Sequence, residues 1–499
     1  MSALKNHGEN SQYIELSNTL DCVVIKENSM NRNILARYFL YLVTIFSLVT
    51  MPLLAQTQLP ADARQEIDNI VADALAKTGV PSASVAIVKD GQIVYLNAYG
   101  DARIEPKTPA TAAMKYSIGS ISKQFTAASL LLLQERGKLT LDDKVSKFVP
   151  DLTRANEVTI RQLLSHTSGY QDYWPQDYVM PMMLKPVTAK AILDQWARKP
   201  LDFDPGAKWQ YSNTNYVIAG MIVEKASGQP LFEFLQQNIF KQLAMKSVAD
   251  IDRARLGDTD PVGYLRYALG PLRPAPATGD GWLFAAGELA MTAEDLAKWD
   301  ISVMNQTLLK PASYKQLETE VQLNNGLGTH YGLGVDVRMQ NGHRAVSHGG
   351  EVSGFTAENT VFPDDKAAIV VLTNQDAANA SGAISDGIAA FLLKAADDPT
   401  TPQKTEQARK IFEGLQKGTI DRSLFTSNAN SYFSDQALKD FSTGLAPLGE
   451  PQSFNQVGQA LRGGMTLRVY IAKFANKNLR IWTYEMPDGK LEQYQVAEQ

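Results

Sequence analysis

The sequence predicts an α+β protein: one antiparallel sheet flanked by helices, its first and last strands bracketing an inserted helical lobe, with a small C-terminal α+β domain behind it. Three observations carry that prediction. Residues 82–100 hold two apolar stretches around Asp90-Gly91, the pattern of a β-hairpin. Strand-like segments return only at 331–338, 344–347, 354–362 and 367–373, so a mostly helical stretch separates early strands from late ones. Beyond a polar, proline-bearing linker at 396–403, a helix over 404–417 and a less regular stretch lead to strands separated by Asn-Lys-Asn and Pro487-Asp488-Gly489 turns.

Taken in order, the first element is a leader. Residues 38–55 form an uncharged apolar run preceded by Arg32 and Arg37 and ending at Ala55, the arrangement of a secretory signal peptide. Met30 reads as its start, which makes 30–55 the signal and 1–29 a start-site artefact or a polar extension. The expected location is therefore periplasmic or secreted, with a membrane tether only if the run stays uncleaved. The first helix runs from Pro60 to Thr78, where Ala63, Ile67, Ile70, Val71 and Ala74 recur at helical spacing. After the hairpin, Ser120 to Glu135 reads as an apolar, buried helix closed by Gly137.

Composition narrows the function. A formal net charge of -5 with no Lys/Arg run offers no platform for nucleic acid. The single cysteine, Cys22, excludes an intramolecular disulfide, and no His-Glu-x-x-His pair occurs among the five histidines. No metal site and no cofactor are expected; the expected partner is a small-molecule or peptide substrate, and no oligomeric state is specified. The chain also lacks Gly-x-Ser-x-Gly, which counts against an α/β-hydrolase.

The chemistry lies in three short patterns. In Ser120-Ile121-Ser122-Lys123 the three-residue spacing puts a weak nucleophile and a candidate base on one face of a helix start. A buried lysine can act as that base when its pKa falls toward neutrality. Ser2-Ala3-Leu4-Lys5 repeats the pattern, so spacing alone proves little. Tyr211-Ser212-Asn213 would place a proton donor and an amide on one side of an extended segment. Tyr95-Leu96-Asn97 matches too, and reads as ordinary strand. His348-Gly349-Gly350 follows the short strand at 344–347, and its glycines would let a substrate lie against the backbone.

In that order, 91 and 137 residues apart, the three patterns resemble the serine β-lactamase and penicillin-binding protein family. The likeness is to its class C β-lactamase-related branch, which includes esterases and D-amino-acid peptidases. LLSHTSGY (163–170), YSNTNYVIAGMIVEKASGQPL (211–231), AAGELAMTAEDLAKW (285–299), YGLGV (331–335) and HGGEVSGF (348–355) extend it over about residues 60–395. The resemblance implies a β-lactamase-like fold and an acyl-enzyme on Ser120. Lys123 would be its base partner, Tyr211 a second proton-transfer residue and Asn213 a substrate-amide contact. Gly349 and Gly350 would line the substrate, and the backbone N–H of Glu351 would join that of Ser120 in an oxyanion hole. His348 stands where many members carry the lysine of Lys-Thr-Gly, and imidazole is a weaker anchor for a carboxylate than ammonium. Glu288 replaces a usual glycine. The expected function is an exported active-serine hydrolase acting on an amide, ester or D-amino-acid peptide. The alternative is a non-turnover protein that captures a peptidoglycan-like ligand. Residues 404–499 resemble NTF2-like cone folds through their paired strands and carry no catalytic constellation.

Overall fold

The structure, a computed structural model, describes residues 58–498 except 177, 394–397 and 399. The expected signal peptide, the extension before it, the Ser2-Lys5 pattern and residues 396, 397 and 399 of the linker lie outside the described residues. No helix among the described residues is long and apolar enough to cross a membrane.

Helix α1 (Ala61–Thr78) buries Ile67, Val71 and Ala74 on one face. Strands β1 (Ser82–Lys89) and β2 (Gln92–Ile104) form the expected hairpin, and β3 (Lys107–Pro109) pairs with the far end of β2. The insert follows, with α2 (Ser122–Glu135), α3 (Asn213–Ser227) and α4 (Ala293–Asn305) as its longest helices. The sheet resumes with β4 (Asp336–Gln340), β5 (His343–Val352), β6 (Phe355–Phe362) and β7 (Ala367–Thr373), and α5 (Ala380–Leu392) comes after it. The seven strands lie in the order β3-β2-β1-β7-β6-β5-β4, antiparallel throughout. The first long strand thus pairs with the last, from Ala83 opposite Thr373 to Lys89 opposite Ala367.

That central position explains why β1 and β7 read as unbroken apolar runs. Side chains alternate faces along a strand. Ala86, Val88, Val370 and Leu372 enter the core shared with α2, α3 and α4. Val85, Ile87, Ile369 and Val371 enter a second core with α1 and α5. Both faces of β1 and β7 are therefore dry, and no polar alternation is left to see in them.

Two boundaries differ from expectation. Residues 331–335 are not strand: Gly332 N–H donates to Val335 O (2.8 Å) across a tight turn, while Leu333 and Val335 are buried in the helical core. The sheet begins only at Asp336. The strand at 344–347 instead continues through His348-Gly349-Gly350 to Val352, in register with β6. Paired glycines suggest a turn, but here Ile118 O occupies the space that a side chain at Gly350 would fill, while one at Gly349 would meet only ordinary contacts.

The C-terminal segment has its own sheet and its own core. Helix α6 starts at Thr401 and runs to Gln416, three residues earlier than the sequence suggested, because Pro402 occupies the first turn, where no N–H is needed. The stretch read as irregular contains a helix at Ser427–Tyr432, α7 (Asp435–Leu445) and strand β8 (Ser453–Arg462). Thr426 and Ser434 cap the two helices by accepting from Ala429 N and Ala437 N. With β9 (Met465–Lys473), β10 (Asn478–Glu485) and β11 (Leu491–Glu498), β8 forms an antiparallel meander. Phe412, Leu415, Phe454, Tyr470, Ile481 and Tyr494 fill the space between sheet and helices.

Candidate active site

Ser120 lies in a 3-10 turn, Gly119–Ile121, that runs directly into α2, so the Ser-x-x-Lys pattern straddles the junction instead of sitting wholly in the α-helix. Ile118 N donates to Leu289 O (3.0 Å) and Leu289 N to Ser122 Oγ (3.2 Å), fixing the turn to the short strand Leu289–Met291. On the other side β5 presses close. A Cβ added to Gly350 would lie 2.0 Å from Ile118 O, and one on Gly119 would lie 2.8 Å from Glu351 N. The two glycines permit backbone-to-backbone contact that brings Glu351 N beside the Ser120 turn.

From Ser122 to Leu133 every residue of α2 is buried, the polar Ser122, Lys123, Gln124, Thr126 and Ser129 included. Lys123 is therefore carried into the core. Its Nζ lies 2.8 Å from Ser120 Oγ, 2.9 Å from Asn213 Oδ1 and 2.8 Å from Ala286 O. Burial pulls its pKa down to about 7, with the charge of Asp172 acting in the opposite direction. The Tyr211 hydroxyl donates to Ser120 Oγ at 2.8 Å. Burial pushes that phenol well above its usual value, so it keeps its proton.

The Tyr211 segment is anchored from both ends. Ser212 is the extended cap of α3, and Asn213 is that helix's first residue rather than part of an extended strand. Ser212 N donates to Nδ1 of the fully buried His166, whose ring packs 4.3 Å from that of Tyr211, centroid to centroid. Asp172 accepts from Asn213 N (2.9 Å) and Asn213 Nδ2 (3.3 Å).

His348 faces the same cleft, yet both its ring nitrogens are engaged. Nδ1 lies 2.5 Å from Gly349 O and Nε2 lies 2.8 Å from the Tyr331 hydroxyl. A carbonyl can only accept, so Nδ1 carries the hydrogen and Nε2 accepts from Tyr331. Burial first, and then the Lys123 charge, lower its pKa to about 3. Glu288 points elsewhere. It is buried with Asp250 and Asp252, and burial plus these two carboxylates push its pKa well up.

A cleft of about 1140 Å³ opens over these groups. Ser120, Tyr211, Asn213, His348, Gly349, Gly350 and Glu351 line it, with Lys123 beneath. Every site residue expected from sequence is thus gathered at one place. Tyr95 is not: its hydroxyl bonds to Asp68 and Tyr99 on the β2 side of the sheet. Sequence reasoning assigned no role to Asp172, Ala286, His166 or Tyr331. Three of these lie in the stretches that carried the family resemblance, and Asp172 follows one of them by two residues.

Comparison with known proteins agrees with the fold. The family model described as Beta-lactamase matches residues 67–393. Penicillin-binding protein 4* of Bacillus subtilis (strain 168) is 29% identical over 308 residues, covering 59% of this chain and 68% of its own. Protein flp of Staphylococcus aureus (strain N315) is 30% identical over 332 residues, and the chain spans only 64% of that relative's length. Among solved structures, a D-stereospecific amidohydrolase from Streptomyces sp. superposes with a TM-score of 0.57 at 27% identity, over 66% of this chain and 98% of its own. The D-amino acid amidase of Ochrobactrum anthropi SV3, complexed with D-phenylalanine, gives a TM-score of 0.58 at 26% identity over 66% and 98%. With the fold, the gathered site and a family match over well more than half its length, the chain belongs to the beta-lactamase family.

Proposed function

We propose that this protein is an exported serine hydrolase that forms an acyl-enzyme on Ser120 and hydrolyses amides, esters or D-amino-acid peptides. The observation that carries the reading is the coordination of Lys123. A neutral amine has two hydrogens and one lone pair. Asn213 Oδ1 and Ala286 O take the two hydrogens, which leaves the lone pair for the hydroxyl of Ser120.

The sequence of events follows from that. Ser120 Oγ attacks the substrate carbonyl as its proton passes to Lys123. The backbone N–H groups of Ser120 and Glu351 stabilise the oxyanion. Tyr211 gives its proton to the departing oxygen or nitrogen and is reprotonated from Lys123 as the intermediate collapses. Water then attacks the ester, losing its proton to the same pair, and Ser120 Oγ leaves with a hydrogen restored.

Within that range the acyl donor is an amide, an ester or a D-amino-acid peptide cleaved away from its C-terminal residue, so that no carboxylate lies beside the leaving group. His348, neutral and with both nitrogens engaged, offers such an anion no donor, and the three hydrogens of a charged Lys123 already have acceptors. The amidohydrolase and amidase relatives favour D-amino-acid amides within that class. Export rests on the leader at 30–55.

Incubation with a fluorophosphonate followed by peptide mapping tests the nucleophile: the adduct is expected on Ser120 and absent in Ser120→Ala. A panel of short acyl esters, D-amino-acid amides and a chromogenic lactam should show turnover of the first two and little of the third. An adduct elsewhere contradicts the proposal. So does an acyl-enzyme that accumulates without releasing product, which would instead favour a capture protein.

A further inference from the structure

Resting on the reading of Ser120 and Lys123 as the reacting pair, we propose that Asp172 is the positioning residue of this site: its carboxylate fixes the Asn213 amide, and through it the direction of Lys123 Nζ. Oδ1 of Asp172 accepts from Asn213 N (2.9 Å) and from Trp174 N (3.1 Å), and Oδ2 accepts from Asn213 Nδ2 (3.3 Å). One carboxylate therefore grips Asn213 by main chain and side chain together.

The consequence is an amide with only one workable orientation. If the Asn213 side chain were reversed, its oxygen would face the Asp172 carboxylate and its NH₂ would face the Lys123 amine. Acceptor would meet acceptor at Asp172, and the Lys123 hydrogen now held by Asn213 Oδ1 would lose its acceptor in the buried interior. In the observed orientation Asn213 Oδ1 holds one Lys123 hydrogen, 2.9 Å from Nζ, and one Nδ2 hydrogen stays free for a substrate amide. Loss of Asp172 would let the amide turn and the lone pair of Lys123 wander from Ser120.

Asp172 also acts by its charge. The groups facing Lys123 and its partners are Tyr211, Tyr216, His166, His348 and Asp172, with Asp336 near Tyr211. The tyrosines are pushed up and the histidines down, so all four stay neutral in the working range. Asp172 is the carboxylate that bears on Lys123 directly: burial raises its own pKa, the Trp174 and Asn213 N–H groups and the Lys123 charge work against that rise, and as an anion it favours the ammonium form.

The test is the rate of fluorophosphonate acylation against pH in wild type, Asp172→Asn, Asn213→Ala and the double variant. In Asp172→Asn the plateau rate should fall by roughly 10–100-fold, the cost of misplacing a reacting group. Its acid limb should move to lower pH by roughly one unit, because the anion favouring protonated Lys123 is gone. In the Asn213→Ala background, Asp172→Asn should lower the plateau little further, since the two act in series. A folded Asp172→Asn whose plateau falls but whose acid limb stays put would overturn the proposal, as would fully additive losses. Should Asp172→Asn fail to fold, Asp172→Glu, which keeps the charge but displaces it, must lose rate with its acid limb unmoved; a displaced limb would again overturn it. Wild type labelled at Ser120 separates failure here from failure of the underlying reading, whereas wild type unlabelled there removes both.

Discussion

Tyr95-Leu96-Asn97 and Tyr211-Ser212-Asn213 are one pattern placed in two settings. In β2, pleating sends the Tyr95 hydroxyl to Asp68 and Tyr99, while Asn97 stays exposed and folds back on Ala98 N. At the start of α3, the extended Ser212 followed by a helical Asn213 turns both side chains inward, one onto Ser120 Oγ and the other onto Lys123 Nζ. The residues are the same and the partners are not. What gives the second copy its chemistry is a buried amine, delivered by an apolar helix from ninety residues earlier.

Mutations can sharpen that contrast, and the largest effect belongs to the amine itself. Lys123→Ala should lower acylation by about 10³-fold or more, since it removes the general base. A fold check by circular dichroism makes the result interpretable, and an unchanged rate in a folded variant would take Lys123 out of the mechanism. Tyr211→Phe should cost about 10²-fold in kcat with KM little altered, because only proton transfer is lost. Amides, with their poorer leaving group, should suffer more than activated esters, which a paired assay on the two substrates would reveal. Tyr95→Phe is the matched control. It should leave kcat/KM at the wild-type level and cost about 1 kcal/mol in urea unfolding, the worth of a hydrogen bond. A Tyr95→Phe effect on kcat comparable to that of Tyr211→Phe would erase the distinction drawn between the two copies.

The sheet and the Ser120 nucleus were legible in sequence because each depends on local pattern. The Asp90-Gly91 turn, the apolar runs of β1 and β7 and the largely apolar stretch that follows Lys123 are read without knowing their neighbours. The extent of β5 was not legible. His348-Gly349-Gly350 carries the look of a turn, and the closeness of Ile118 O explains why a glycine stands at 350 within a strand. Asp172 and Ala286 escaped for a different reason. One contributes a carboxylate to a partner 41 residues away and the other only a backbone carbonyl, which no residue type announces. In the C-terminal segment the caps at Thr426 and Ser434 were visible signals, and Leu438, Phe441 and Leu445 recur at helical spacing, but the first of the two helices is only six residues long and buries Ala429 alone.

The central claim is that Lys123 works as a neutral amine on Ser120. Its most direct test is the pH dependence of the single-turnover acylation rate, with the adduct mapped to Ser120. Burial lowers Lys123 to about 7, so below that pH the ammonium predominates and has no lone pair to offer. The rate should therefore fall about tenfold per pH unit on the acid side of 7 and level off above it. A rate that is flat from about pH 5 to 9, or that begins to rise only near the ordinary lysine value of 10.5, would contradict the account.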